Sequence, residues 1–151
     1  MKTEIGIEKL ATGITGFDFV GYGGLPKGRT TLVAGSAGSG KTIFAAQFLT
    51  AGIITENEPG VFVTFEESPS DIRQNLFSLG WNIGEFEQNK QWSFVDASPQ
   101  LGEKTVEVGG YDLSALLARI ESAVKSINAK RVSMDSLGAI FSRFSDRSII
   151  R

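Results

Sequence analysis

The run Gly35-Ser36-Ala37-Gly38-Ser39-Gly40-Lys41-Thr42 has residue types and spacing suited to gripping a polyphosphate. It meets the pattern G-x-x-x-x-G-K-[ST], with a β-prone segment before it and an apolar helical segment after it. Glycines let successive backbone N–H groups turn inward around an anion. A helix beginning near Gly40 adds the positive end of its dipole. Lys41 supplies a mobile positive charge for the β- and γ-phosphates, and the Thr42 hydroxyl is a hard oxygen ligand suited to Mg²⁺.

Two further elements could complete that chemistry. Arg131-Val132-Ser133-Met134-Asp135-Ser136 reads as an apolar strand ending in a carboxylate, about ninety residues after the loop. Asp135 in that place would hold the Mg²⁺, through a water. Glu66-Glu67 follows the apolar run 61–65 and so falls at a strand's C-terminal end, where open α/β sheets bind ligands. A carboxylate there can orient and deprotonate a water for attack on a γ-phosphate. The same pair also suits a solvated acidic turn ahead of a helix, where the dipole favours negative charge. Spacing alone leaves both readings open.

Composition narrows the alternatives. The 151 residues include no cysteine and no histidine. That removes a disulfide framework, Ser-His and Cys nucleophile chemistry, and zinc or iron held by His or Cys. Carboxylates, lysine, arginine, hydroxyls and a hard cation remain. The net charge of −2 and the lack of any block of Lys or Arg do not suggest strong nonspecific nucleic-acid binding, and leave a local basic patch as the open alternative. The stretch 43–54 is interrupted by Gln47 and Thr50 and is too short for a membrane span. The opening Met1-Lys2-Thr3-Glu4 lacks the apolar segment of a signal peptide. A cytoplasmic, membrane-free protein is the expectation.

Strand-like and helix-like patterns alternate, which predicts an α/β fold with a mostly parallel sheet flanked by helices. Buried strands are expected at 30–34, 61–65, 92–96 and 131–135. A helix follows Lys41, carrying Ile43, Phe44, Phe48, Leu49 and Ile53. Ser68-Pro69 predicts a second helix start, with Ile72, Leu76 and Leu79 buried and a stop at Gly80. Asp112 is expected to cap a third, whose stripe Leu113, Leu116, Leu117, Ile120, Val124 and Ile127 reads as core packing. Residues 98–110 read as a long loop. The last residues, 145–151, look like a helix start that is cut off, so the single domain 1–151 is expected to be incomplete at its C-terminal end.

These residues resemble a known family. Thr12-Gly13-Ile14-Thr15-Gly16-Phe17-Asp18 and Gly23-Gly24-Leu25-Pro26-Lys27-Gly28-Arg29, leading into the loop, are similar to the RecA-type P-loop ATPase domain of KaiC, the circadian clock ATPase and kinase. Pro59-Gly60-Val61-Phe62-Val63-Thr64-Phe65-Glu66-Glu67, Gly80-Trp81, Asp96-Ala97-Ser98-Pro99, Gly109-Gly110-Tyr111-Asp112 and Val132-Ser133-Met134-Asp135-Ser136 continue the likeness, which resembles the first of KaiC's two ATPase repeats. The resemblance implies ATP contacts from Gly38, Ser39, Gly40, Lys41, Thr42, Ile43 and Ser78, with Mg²⁺ at Thr42 and Asp135. It implies that Glu66 and Glu67 are the paired catalytic glutamates, acting with Lys41 in slow ATP hydrolysis. It implies a hexameric ring with ATP between subunits, autophosphorylation confined to the second repeat, and a KaiB-like partner docking at loop 98–110. Residues 100–107 depart from the family pattern, and the family's Lys- and Arg-bearing segment that reaches a neighbour's nucleotide falls beyond Arg151. The competing functions are a RecA- or helicase-like DNA-dependent ATPase and a nucleotide-gated assembly scaffold.

Overall fold

The computed structural model describes residues 6–98, 113–136 and 138. Among these residues the core is a parallel sheet of β3 (Gly60–Thr64), β4 (Trp92–Asp96) and β5 (Arg131–Asp135), ordered β4-β3-β5. A short antiparallel pair, β1 (Lys9–Leu10) and β2 (Leu25–Pro26), encloses helix α1 (Thr15–Val20) and precedes the loop. Helix α2 (Lys41–Glu56) follows the loop directly. Helices α3 (Pro69–Phe77) and α4 (Ile83–Gln88) link β3 to β4, and α5 (Leu113–Ile127) precedes β5. The expected α/β architecture, a parallel sheet flanked by helices, is the one observed.

Side-chain alternation along the strands sorts the core into two layers. On one face Phe62 and Trp92 meet Ala46, Leu49 and Ile53 of α2, Ile72 and Leu76 of α3, and Ile83 of α4. On the other, Val61, Val63, Phe65 and Val95 meet Leu116 of α5, with Ile120, Val124 and Ile127 packed beside them. Each edge of β3 is paired in parallel, and the register sets Thr64 beside both Asp96 and Asp135. The carboxylates of β4 and β5 and the Glu66-Glu67 turn after β3 therefore end at one rim of the sheet.

Helix starts follow their caps. The Ser68 hydroxyl accepts from Asp71 N at the head of α3, with proline at the first helical position. Asn82 accepts from Glu85 N at the head of α4, a helix the sequence reading did not expect because its length is too short to show a period. Arg73 grips Glu87 through Nε and Nη2 at 2.6 and 2.8 Å, joining α3 to α4, and its guanidinium lies over the Phe94 ring. That hydrogen bond holds the Arg73 pKa above its ordinary value.

Three expectations need correction. Residues 30–34 join no strand ladder; Leu32 is 75% and Val33 39% exposed. β-propensity shows a segment that fits a pleated, half-buried surface, but a strand also needs an edge in reach. Here a cleft of about 780 Å³, lined by Leu32, Val33, Phe44, Val132 and Met134, lies between the segment and β5. Leu79 is half exposed because α3 ends at Phe77 and the chain turns off the core. Leu113 and Leu117 are also exposed, leaving Leu116 as the buried residue of α5 and the partly buried Ile120, Val124 and Ile127 as the rest of its packed stripe. Asp112, residues 99–110 and the chain end at 145–151 lie outside the described residues.

Candidate functional site

The loop owes its shape to glycine. Gly38 and Gly40 have φ of +77° and +86°, in the left-handed region that L side chains avoid. A Cβ at either would meet nothing within 4 Å, so both face open space. Ser39 N donates to Ser36 O at 3.2 Å, closing the turn, and Phe44 N donates to Gly40 O as α2 begins. The head of α2 differs from those of α3 and α4: Gly40 offers no side-chain cap, and no acidic residue stands in the first turn. Its first N–H groups thus have no side-chain cap from Gly40 and lie in a positive field, the arrangement that favours an anion.

Lys41 and Thr42 stand at that helix head. The Lys41 ammonium donates to Gly35 O at 2.9 Å and to Ser36 O at 2.8 Å, so it lies across the mouth of the loop. Thr42 Oγ1 donates to Asp135 Oδ2 at 2.5 Å. Hydroxyl and carboxylate thus form one oxygen pair, half-buried, at the junction of α2 and β5. Among the described residues no group of three or more His, Cys, Asp or Glu could cage a metal ion. A pair of hard oxygens is nevertheless what Mg²⁺ uses when phosphate and water supply its other ligands. The residues fit a cation that arrives with a phosphate and do not fit one held by protein alone.

Glu66 and Glu67 are both exposed but point to different neighbours. Ser136 Oγ, next to Asp135, donates to Glu66 Oε1 at 3.1 Å. Glu67 Oε2 accepts from Asn75 Nδ2 of α3 at 3.4 Å, and Glu67 O accepts from the buried Thr64 hydroxyl at 2.6 Å. Phe65 N donates to Asp135 O, carrying the β3–β5 pairing up to the rim. Glu66 is therefore the glutamate hydrogen-bonded to the residue that follows Asp135.

The remaining expected contacts are Ile43 and Ser78. Ile43 is exposed on the first turn of α2. The Ser78 hydroxyl, at the C-terminal end of α3, donates to Asn75 O at 2.6 Å within its own helix. Sequence reasoning overlooked Ser133, Ser136 and the far end of β5. The available signal was polar Arg131, Ser133 and Asp135 at every second position inside an apolar run, which marks one strand face as hydrogen-bonded to a neighbour.

The chain is similar to known proteins. Residues 10–151 match the family model described as "ATPase: KaiC". The chain is 59% identical, over 97% of its length and 29% of the relative's, to the circadian clock protein KaiC3 of Synechocystis sp.. It is 49% identical to the circadian clock oscillator protein KaiC of Thermostichus vulcanus and 48% identical to that of Synechococcus elongatus, over 96% of this chain and 28% of each relative. The chain thus spans under a third of the length of the curated relatives it matches. Among the described residues no helix is long and apolar enough to cross a membrane. The parallel sheet, the glycine loop at the head of α2 and the carboxylate at the end of β5 are those of a RecA-like P-loop fold, and with this extent of match the chain belongs to the KaiC ATPase family.

Proposed function

We propose that this chain binds ATP with Mg²⁺ and supplies the hydrolytic face of a slow ATPase in a KaiC-type clock or regulatory ring. The observation that carries this reading is the Thr42–Asp135 oxygen pair set against an uncapped helix head and a left-handed glycine loop. The phosphates lie along the N–H groups of Gly38, Ser39 and Gly40 and the first turn of α2. Lys41 exchanges two neutral carbonyls for phosphate oxygens, a stronger, charge-assisted pairing. Thr42 and Asp135 hold the cation, which neutralises charge on the β- and γ-phosphates when bound. Ile43 and Ser78 serve as outer nucleotide contacts.

Hydrolysis is an in-line displacement. A water oxygen bonds to the γ-phosphorus as the bond to the ADP oxygen breaks, and the water's proton passes to a carboxylate of Glu66 or Glu67. Glu66 accepts from Ser136, the residue after Asp135, which favours it over Glu67 for this role. Lys41 offsets charge on the departing oxygen. A hexameric ring with ATP between subunits, autokinase activity elsewhere in the longer protein, a partner at loop 98–110 and a cytoplasmic setting complete the proposal.

The test is Glu66→Gln with Glu67→Gln in the full-length protein, measuring phosphate release and ATP affinity together. Loss of turnover with ATP affinity retained is expected. Unchanged hydrolysis refutes the catalytic assignment, and full biological output from the hydrolysis-dead protein favours the scaffold.

A further inference from the structure

The face of β5 turned toward α2 carries a ladder of polar rungs. Asp135 accepts from Thr42 Oγ1 at 2.5 Å. Two residues back, Ser133 Oγ donates to Ala45 O at 3.0 Å. Two residues further back, Arg131 Nη1 donates to Phe48 O at 2.9 Å. Steps of two on the strand thus match steps of three on the helix, at 42, 45 and 48.

The rises do not match by themselves. Four strand residues advance about 13 Å, while six helical residues advance about 9 Å. The shortfall of about 4 Å falls at the Arg131 end, where a long side chain can span it and a short one cannot. Arg131 is held there from all sides. Its side chain is 1% exposed, Nε donates to Glu58 Oε2 at 2.8 Å, Nη1 also donates to Ala11 O, and the guanidinium lies 4.7 Å from the Phe48 ring centroid. The helix leaves room for it: a Cβ on Gly52, one turn beyond Phe48, would lie 2.4 Å from Arg131 Nε.

We propose that Ser133 and Arg131 are positioning residues for the cation site, fixing the register between α2 and β5 in which Thr42 and Asp135 meet. Both side chains donate to backbone carbonyls of α2, at Ala45 and Phe48. Each acts through the helix, whose sliding by a fraction of a turn would part the oxygen pair. This rests on the reading of Thr42 and Asp135 as the pair that holds the cation, Asp135 through a water.

The test uses the full-length protein as wild type, Ser133→Ala, Ser133→Thr and Arg131→Lys. Three quantities are measured: Mg²⁺ half-saturation of ATP binding, nucleotide affinity without Mg²⁺, and unfolding in urea without nucleotide. Ser133→Ala is expected to raise the Mg²⁺ half-saturation about tenfold, the scale of a lost outer-shell partner, and to leave Mg²⁺-free affinity unchanged. Arg131→Lys moves the same way, because one ammonium cannot reproduce the planar fork of donors. Ser133→Thr, which keeps the hydroxyl, restores the wild-type value. Unchanged Mg²⁺ dependence in Ser133→Ala and Arg131→Lys, whatever their stability, overturns the proposal, and so does equal weakening with and without Mg²⁺. A wild type that gains nothing from Mg²⁺ instead refutes the cation reading of Thr42 and Asp135, and this inference with it.

Discussion

Thr42 and Asp135, 93 residues apart in sequence, meet through a 2.5 Å hydrogen bond between hydroxyl and carboxylate. One stands on the first turn of α2 and the other at the last residue of β5. On this face of the sheet α2 packs Ala46, Leu49 and Ile53 against Phe62 of β3, the strand paired with β5. The chemistry of the rim is thus fixed by burial well below it.

The loop glycines are needed for their backbone angles, since their surroundings are open. Gly38→Ala or Gly40→Ala puts a Cβ into the left-handed region at a cost of about 1–2 kcal/mol. If the loop relaxes to avoid that strain, nucleotide affinity falls by roughly 5–30-fold, the equilibrium equivalent of that energy. Calorimetric titration with ATP checks it, and unchanged affinity contradicts the role given to the loop geometry.

Gly52 poses the opposite case, an ordinary helical position with no room. Gly52→Ala drives a methyl against Arg131 Nε. Overpacking of this kind costs about 1–3 kcal/mol. A lower urea midpoint at constant slope is the expected result, and an unchanged midpoint shows that Arg131 moves aside freely.

The exposed pair Glu121–Lys125 on α5 gives a pH signature. The hydrogen bond from Lys125, then its charge, lowers the Glu121 pKa. A carboxyl with a depressed folded pKa adds stability above the ordinary glutamate range and loses it as pH falls through the lowered value. The melting-temperature difference between wild type and Glu121→Gln should therefore be small at neutral pH, shrink with added salt and vanish in acid. A difference that persists in acid assigns the effect to helix packing instead.

Much of this was legible in the sequence, for physical reasons that differ by element. Residues 61–65, 92–96 and 131–135 are short apolar runs between turn signals and became β3, β4 and β5 with their neighbours. Ser68-Pro69 announced α3 because the cap chemistry is local. Residues 30–34 carry the same composition, yet whether they pair depends on an edge supplied by distant chain. The outward placing of Leu79, Leu113 and Leu117 was likewise set by where neighbouring elements end. At the site, the loop pattern marked Lys41 and Thr42, and strand-end position marked Asp135. That Glu66 bonds to Ser136 and Glu67 to Asn75 was not legible, because adjacent residues share every sequence argument until their neighbours separate them.

The central claim is that loop and strand end form one Mg²⁺–nucleotide site. Titration of ATP into the full-length wild type and Asp135→Asn, each with and without Mg²⁺, tests it most directly. The account predicts that Mg²⁺ tightens ATP binding to the wild type and that Asp135→Asn loses roughly 10–100-fold of that gain, with Mg²⁺-free binding equal in the two proteins. Equal Mg²⁺ dependence in both proteins would contradict it.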